Sequence, residues 1–211
     1  MKVSVIGAGR VGGTLGSAFA VAGHEVSYGL RDPEGEHAAL REHGTPRSIG
    51  DAAAWAEVVV LAVPFGAARD ALESAGDLGG KPLIDATNPI GPGLTLLHAG
   101  DGSGAENVAR WATNAKVVKA FNSTGYENMA SPVYDDGPSV MPYCGDDEQA
   151  CAMARTLVEA VGFEPLFVGP LTKARILEPF ALVWITLAMQ KPGGELNGLD
   201  GRGFAFRLIR R

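Results

Sequence analysis

The chain has 211 residues, 46% of them apolar and 20% charged, enough to bury a sizeable core and too apolar for a disordered or collagen-like chain. Eighteen basic against 24 acidic residues leave a formal charge of −6, so the basic footprint of a nucleic-acid binder is missing and no such partner is expected. Its two cysteines, Cys144 and Cys151, form no C-x-x-C and have no histidine cluster, which suggests neither a zinc site nor a thioredoxin-type redox pair and fits a reducing compartment.

Lys2 to Ile6 is a short β-prone run without the long apolar stretch of a signal peptide. Gly7-Ala8-Gly9-Arg10-Val11-Gly12-Gly13 follows, and apolar residues then recur at Val11, Leu15, Ala18, Phe19 and Ala22 with helical spacing. Gly23 stops this helix and Glu25 to Gly29 makes a second strand, so strand, turn, helix and strand complete a right-handed βαβ unit in about 30 residues. Strand signals return at Glu57 to Val63, Pro82 to Ala86 and Lys116 to Phe121, with a helix at Phe65 to Ala75; the nearly continuous apolar strand from Glu57 implies burial on both faces. Pro89 to Gly104, with two prolines and five glycines, reads as a long loop beside the strand ends.

Farther on, Ser139 to Cys144 reads as strand, Asp146 to Val161 as helix and Glu164 to Val168 as strand. Leu171 to Gln190 reads as a helix bent at Pro179, and its apolar stretch Phe180 to Met189 predicts packing at the centre or between subunits. Pro179 to Gln190 is about half of the ~20 residues that span a bilayer, so a cytoplasmic chain with no membrane partner is expected. Gly203 to Arg211 alternates as an edge strand would. The expected architecture is α/β: a Rossmann-type, doubly wound, mostly parallel sheet with a C-terminal helical and strand extension. A single dinucleotide-binding domain is expected, with its core at about 1–122 and the extension at about 123–211.

G-x-G-x-x-G between a strand and a helix is the context in which the pattern has physical meaning. Gly7 permits the sharp turn, Gly9 lets a pyrophosphate approach the backbone, and Gly12 lets the helix pack close; Ala8, Arg10 and Val11 complete the cradle at a helix N-terminus. A glycine-rich turn without a ligand is the alternative. At the second strand end, Leu30-Arg31 replaces the acid that receives an NAD ribose, and Arg31 offers a 2′-phosphate charge-assisted hydrogen bonds, which favours NADP. Asp32 could be counted as that acid and is read instead as a helix cap before Pro33. Later strand ends present Ala62-Val63-Pro64 to a ribose and Thr87 and Asn88 toward a nicotinamide. Ala120, Phe121 and Asn122 are expected in the nicotinamide wall, with a core role for the Phe121 ring weighed equally. None of the four histidines follows a strand end, and G-x-S-x-G, H-E-x-x-H and P-loop patterns are missing, so hydrolysis and phosphoryl transfer lack support.

Val5 to Gly12, Gly29-Leu30-Arg31, Leu61 to Pro64, Ile84 to Pro89 and Lys119 to Asn122, joined by Gly169-Pro170-Leu171, Ala174-Arg175 and Glu178, resemble the NADPH-dependent deazaflavin-coenzyme (coenzyme F420) reductase family over nearly the whole chain. The pattern is also similar to the cytoplasmic reductase domain of six-transmembrane ferric reductases. The resemblance implies a dimeric NADPH-binding enzyme that passes hydride between the nicotinamide and a deazaflavin or flavin ring. It assigns Gly7 to Gly12 to the pyrophosphate, Arg31 to the 2′-phosphate, Ala62 to Pro64 to the ribose side, and Thr87, Asn88 and Ala120 to Asn122 to the nicotinamide. Leu30 stands where the family often has serine, which removes one phosphate hydrogen bond. Two rival readings are an NADPH-dependent carbonyl or imine reductase, with Ser123, Thr124 or Tyr126 as proton donor, and a non-catalytic NADP sensor.

Overall fold

A computed structural model describes residues 1–98, 102–189 and 202–210. In chain order it contains β1 (Lys2–Ile6), α1 (Arg10–Val21), β2 (Glu25–Leu30), α2 (Ala38–Arg41), β3 (Thr45–Ser48), α3 (Ile49–Trp55), β4 (Val58–Leu61), α4 (Ala68–Ala75) and β5 (Pro82–Asp85). A two-stranded pair, β6 (Ile90–Gly91) and β7 (Thr95–Leu96), precedes α5 (Gly104–Trp111) and β8 (Lys116–Lys119). After α6 (Tyr126–Ala130) and a second small pair, β9 (Val133–Tyr134) and β10 (Gly137–Pro138), come β11 (Val140–Gly145), α7 (Glu148–Val161), β12 (Glu164–Phe167) and α8 (Ala174–Ala188).

Eight strands form one sheet in the order β3-β2-β1-β4-β5-β8-β11-β12. Every pair from β3 to β8 is parallel; β11 then runs antiparallel to β8, and β12 parallel to β11. The winding reverses between β1 and β4, which opens a crevice at their carboxyl ends and makes the fold the doubly wound Rossmann type read from the sequence. Alternation places Val58 and Val60 in one apolar layer with Leu15 and Phe19 of α1, and Val59 and Leu61 in the other with Leu72 of α4. All four residues of β4 and of β5 are therefore buried.

Several elements differ from the sequence reading. The strand expected over Glu57 to Val63 shortens to Val58–Leu61, and the helix expected from Phe65 starts with a single 3-10 turn, Phe65–Ala67, before α4. No helix starts at Pro33: Asp32 precedes a turn, and α2 begins at Ala38 with His37 as its N-cap, so Asp32 is no helix cap. α8 passes through Pro179 and lies on the outside, burying Ala174, Leu177, Glu178, Ala181 and Trp184 while Ile176 and Val183 are exposed; central packing is thereby corrected. The tail expected as an edge strand forms none over residues 203–210. Its carbonyls go elsewhere: Phe204 accepts from Trp184 Nε1 at 2.9 Å and Asn128 Nδ2 at 2.7 Å, which leaves the Phe206 carbonyl to the Val140 amide, at 2.9 Å. Phe204 stacks on Trp184 and Phe206 lies against Phe180, so these two rings anchor the tail to α8. Gln190 and Arg211, the ends of the expected last helix and tail, lie outside the described residues.

Candidate functional site

The turn from β1 into α1 is built by steric necessity. Gly7 has φ +94°, and a Cβ there would lie 2.7 Å from Val63 Cγ1 and 2.8 Å from the Ala62 oxygen. At Gly12 a Cβ would stand 1.9 Å from the Gly7 oxygen, so only glycine lets α1 lie this close to the turn. Gly9 is the opposite case, with nothing within 4 Å of the Cβ position. It is also the N-cap of α1, no side chain caps it, and no acid sits in the first turn. The first-turn amides and the partial positive charge of the helix thus meet open space, a cradle that fits a pyrophosphate.

That space opens into a cavity of about 740 Å³ between the ends of β1, β2 and β4. It brings together Gly7, Ala8, Gly9, Leu30, Arg31, Ala62, Val63 and Pro64 from the residues expected on sequence grounds. Arg10, Val11 and Gly12 open α1 beside it, with the Arg10 guanidinium 5.4 Å from the centre of the Tyr126 ring. Arg31 is exposed at the end of β2, and no ion pair holds it among the described residues. Sequence reasoning left out His37, Leu40 and Ile49, which come from segments it did not resolve, and Asp70 and Ser74, one helical turn apart on α4. That i, i+4 polar pair was the available signal.

Thr87, Asn88, Ala120, Phe121 and Asn122 lie outside this cavity's lining, past the ends of β5 and β8. There Asp85 Oδ1 accepts hydrogen bonds from the Thr87 amide at 2.9 Å and hydroxyl at 2.7 Å. Lys119, wholly buried, donates to Asp85 Oδ2 at 2.9 Å and to the Thr87 carbonyl, and its Nζ lies 3.5 Å from Glu178 Oε1. Glu178 in turn accepts from the Gly104 and Ala105 amides at 2.9 and 3.0 Å, capping α5. Two buried carboxylates thus share one ammonium, and the excess negative charge rests on a helix N-terminus.

Asn88 donates to the Asn122 carbonyl at 2.8 Å, and Asn122 Nδ2 donates to Asn88 Oδ1 and the Leu177 carbonyl, each at 3.2 Å. The Asn122 Oδ1 is buried and lacks a partner among the described residues. Phe121 adopts φ +59°, uncommon for a residue with a side chain, while its ring is 1% exposed and packs edge-on against Phe19 and Phe163. The ring belongs to the core, so the backbone turn, not the aromatic face, is what position 121 offers a ligand. Ser123 Oγ faces Met141 Sδ at 3.5 Å and Thr124 Oγ1 accepts from Asn128 Nδ2 at 2.7 Å. Burial pushes the Cys144 thiol up to about 12, which leaves no thiolate there at neutral pH. Among the described residues there is no metal-holding cluster of three or more His, Cys, Asp and Glu, and no helix long and apolar enough to cross a membrane.

The family described as NADP oxidoreductase, coenzyme F420-dependent, matches residues 2–89. The F420-dependent NADP reductase of Methanothermobacter thermautotrophicus is 35% identical over 210 residues, covering 89% of this chain and 89% of the relative. The chain belongs to the F420-dependent NADP oxidoreductase family. Like its family it is an NADP-dependent oxidoreductase, and the likeness spans both the Rossmann core and the extension. A crystal structure from Arthrobacter sp. FB24, provisionally assigned as an F420-dependent NADP-reductase, is 33% identical, covers 100% of both chains and superposes with a TM-score of 0.87. The metalloreductase STEAP3 of Rattus norvegicus is 31% identical over 183 residues, covering 86% of this chain and 36% of its own length.

Proposed function

We propose that this F420-dependent NADP oxidoreductase family member binds NADP(H) over the carboxyl ends of β1, β2 and β4 and transfers hydride between its nicotinamide and a deazaflavin, with flavin as a second acceptor. The observation that carries the reading is the uncapped N-terminus of α1 opening at Gly9 into the cavity that also holds Arg31. Backbone amides of Gly9 to Gly12 hold the pyrophosphate, and Ala62, Val63 and Pro64 flank the ribose. Arg31 grips the 2′-phosphate, and with leucine at position 30 it acts there without a neighbouring hydroxyl.

The bound nicotinamide supplies the hydride. The chain's share is orientation: Asp85 and Lys119 fix Thr87, Asn88 and Asn122 lock each other, and the Asn122 Oδ1 offers an acceptor to the carboxamide. Ring-to-ring transfer needs no strong acid or base. Carbonyl or imine reduction needs a proton donor beside the nicotinamide, and Ser123 and Thr124 are engaged within the protein while Tyr126 lies under Arg10. The chain is read as one dinucleotide-binding domain of core 1–122 and extension 123–211, since β11 and β12 continue the sheet. A homodimer is expected on the exposed apolar side of α8, and a monomer mass in sedimentation would remove it.

Purified protein mixed with NADPH and either the deazaflavin coenzyme or FMN should lose absorbance at the NADPH band, and lose it more slowly with NADH. Tight binding without oxidation by any acceptor would instead identify a sensor.

A further inference from the structure

We propose that His37 makes the choice between phosphorylated and unphosphorylated dinucleotide depend on pH: its protonated imidazole is a second contact for the 2′-phosphate beside Arg31, and its neutral form is not. The proposal rests on the cavity being the NADP(H) site. After β2 the chain turns through Asp32 to Glu36 and brings His37 Nε2 to 2.6 Å from the Asp32 carbonyl oxygen. A carbonyl has no proton to give, so Nε2 carries the hydrogen and donates it. A neutral imidazole has one N–H only, and Nδ1 is therefore left with a lone pair. Phosphate oxygens are acceptors as well and find nothing there to bind. Protonation adds an N–H at Nδ1 together with a positive charge, the combination that makes a charge-assisted hydrogen bond to phosphate.

The placement is built by the turn itself. A Cβ at Gly35 would lie 2.9 Å from Asp32 Oδ2 and 3.3 Å from His37 Nε2, so the loop closes on a glycine to hold the imidazole at Asp32. Arg31 and His37 are the two side chains in the cavity lining able to carry positive charge. The other charged groups around His37 are Asp32 from the end of β2, Asp70 from α4, Glu34 and Glu36 in its own loop, and Arg41 of α2, which donates to the Pro33 carbonyl at 3.4 Å. Imidazole is the side chain type that gains and loses its proton between about pH 5 and 8, so that is the range over which the comparison is made.

The test is calorimetric binding of 2′,5′-ADP and 5′-AMP to the full chain and to His37→Gln, His37→Lys and Arg31→Ala, across about pH 5.5 to 8.5. The phosphate's own titration near about pH 6 acts on every protein alike and cancels in the ratio of affinities. For 2′,5′-ADP, wild type should bind about three- to tenfold tighter than His37→Gln at the acid end and equally at the alkaline end, while 5′-AMP shows no difference. Relative to His37→Gln, His37→Lys should keep its acid-end advantage to the alkaline end. Equal affinities of wild type and His37→Gln at every pH, a loss shared by 5′-AMP, or a decline of His37→Lys parallel to wild type would each overturn the proposal. Should Arg31→Ala also leave the preference for 2′,5′-ADP unchanged, the reading of the cavity fails with it; if Arg31→Ala abolishes the preference, that reading stands and His37 alone is dismissed.

Discussion

Replacing Lys119 by methionine removes the one cation between Asp85 and Glu178 while keeping a side chain of similar length. Both carboxylates keep their hydrogen bonds, Asp85 to Thr87 and Glu178 to the first amides of α5, so the loss is mainly charge: two acids facing each other at a site where lysine and aspartate are 0% exposed and glutamate 3%. Breaking a buried ion pair costs about 3–5 kcal/mol, and the retained bonds put this case near the lower end, about 3 kcal/mol. Against a total stability of about 5–15 kcal/mol the variant should fold, with a clearly lower urea midpoint. Urea melts at pH 7 measure the deficit, and a double-mutant cycle with Asp85→Asn isolates the pair. A deficit under about 1 kcal/mol would refute the claim that lysine neutralises this site.

Arg31→Ala should weaken NADPH by about 1.5–3 kcal/mol and leave NADH nearly untouched in parallel fluorescence titrations; equal losses would dismiss the phosphate contact. Gly12→Ala sets a methyl against the Gly7 oxygen, 1.9 Å away before relaxation, and should cost at least about 1–3 kcal/mol in thermal unfolding as well as dinucleotide binding. Glu106, held down at about 2 chiefly by its hydrogen bonds to Arg175, contributes stability above its ordinary value of 4.5 and loses it as pH falls toward 2. Since Arg175 is 54% exposed, screening reduces the contribution to about 1 kcal/mol, and Glu106→Gln should be that much less stable at pH 7 with acid curves that converge below about pH 4.5; parallel curves would refute it.

The first crossover was legible because each signal is local: a β-run, glycines at positions 7, 9 and 12, helical spacing to Ala22 and a stop at Gly23. β3 escaped because Thr45-Pro46-Arg47-Ser48 contains a proline, tolerated since β3 is the sheet's edge, and α3 because seven residues rich in alanine carry little periodicity. Asp85, Lys119 and Glu178 lie in the stretches that carry the family resemblance, but no local signal shows that they meet. They are brought together from two neighbouring strands and α8, and only the lysine ending an apolar strand hinted at a buried partner. Phe121 shows a different limit: aromatic character predicts burial correctly, whereas its left-handed backbone is imposed by the tertiary packing around it.

The cap on α5 has a bearing on how the chain is made. Ser103 receives the Glu106 amide, but the Gly104 and Ala105 amides are received by Glu178, 74 and 73 residues downstream. A ribosome delivering this protein releases the Rossmann half with two helix amides still awaiting a carboxylate and with the Lys119 ammonium held by Asp85 but not yet by Glu178. The fold closes only when α8 emerges, so truncation before residue 178 should yield a chain that chaperones and proteases treat as unfinished.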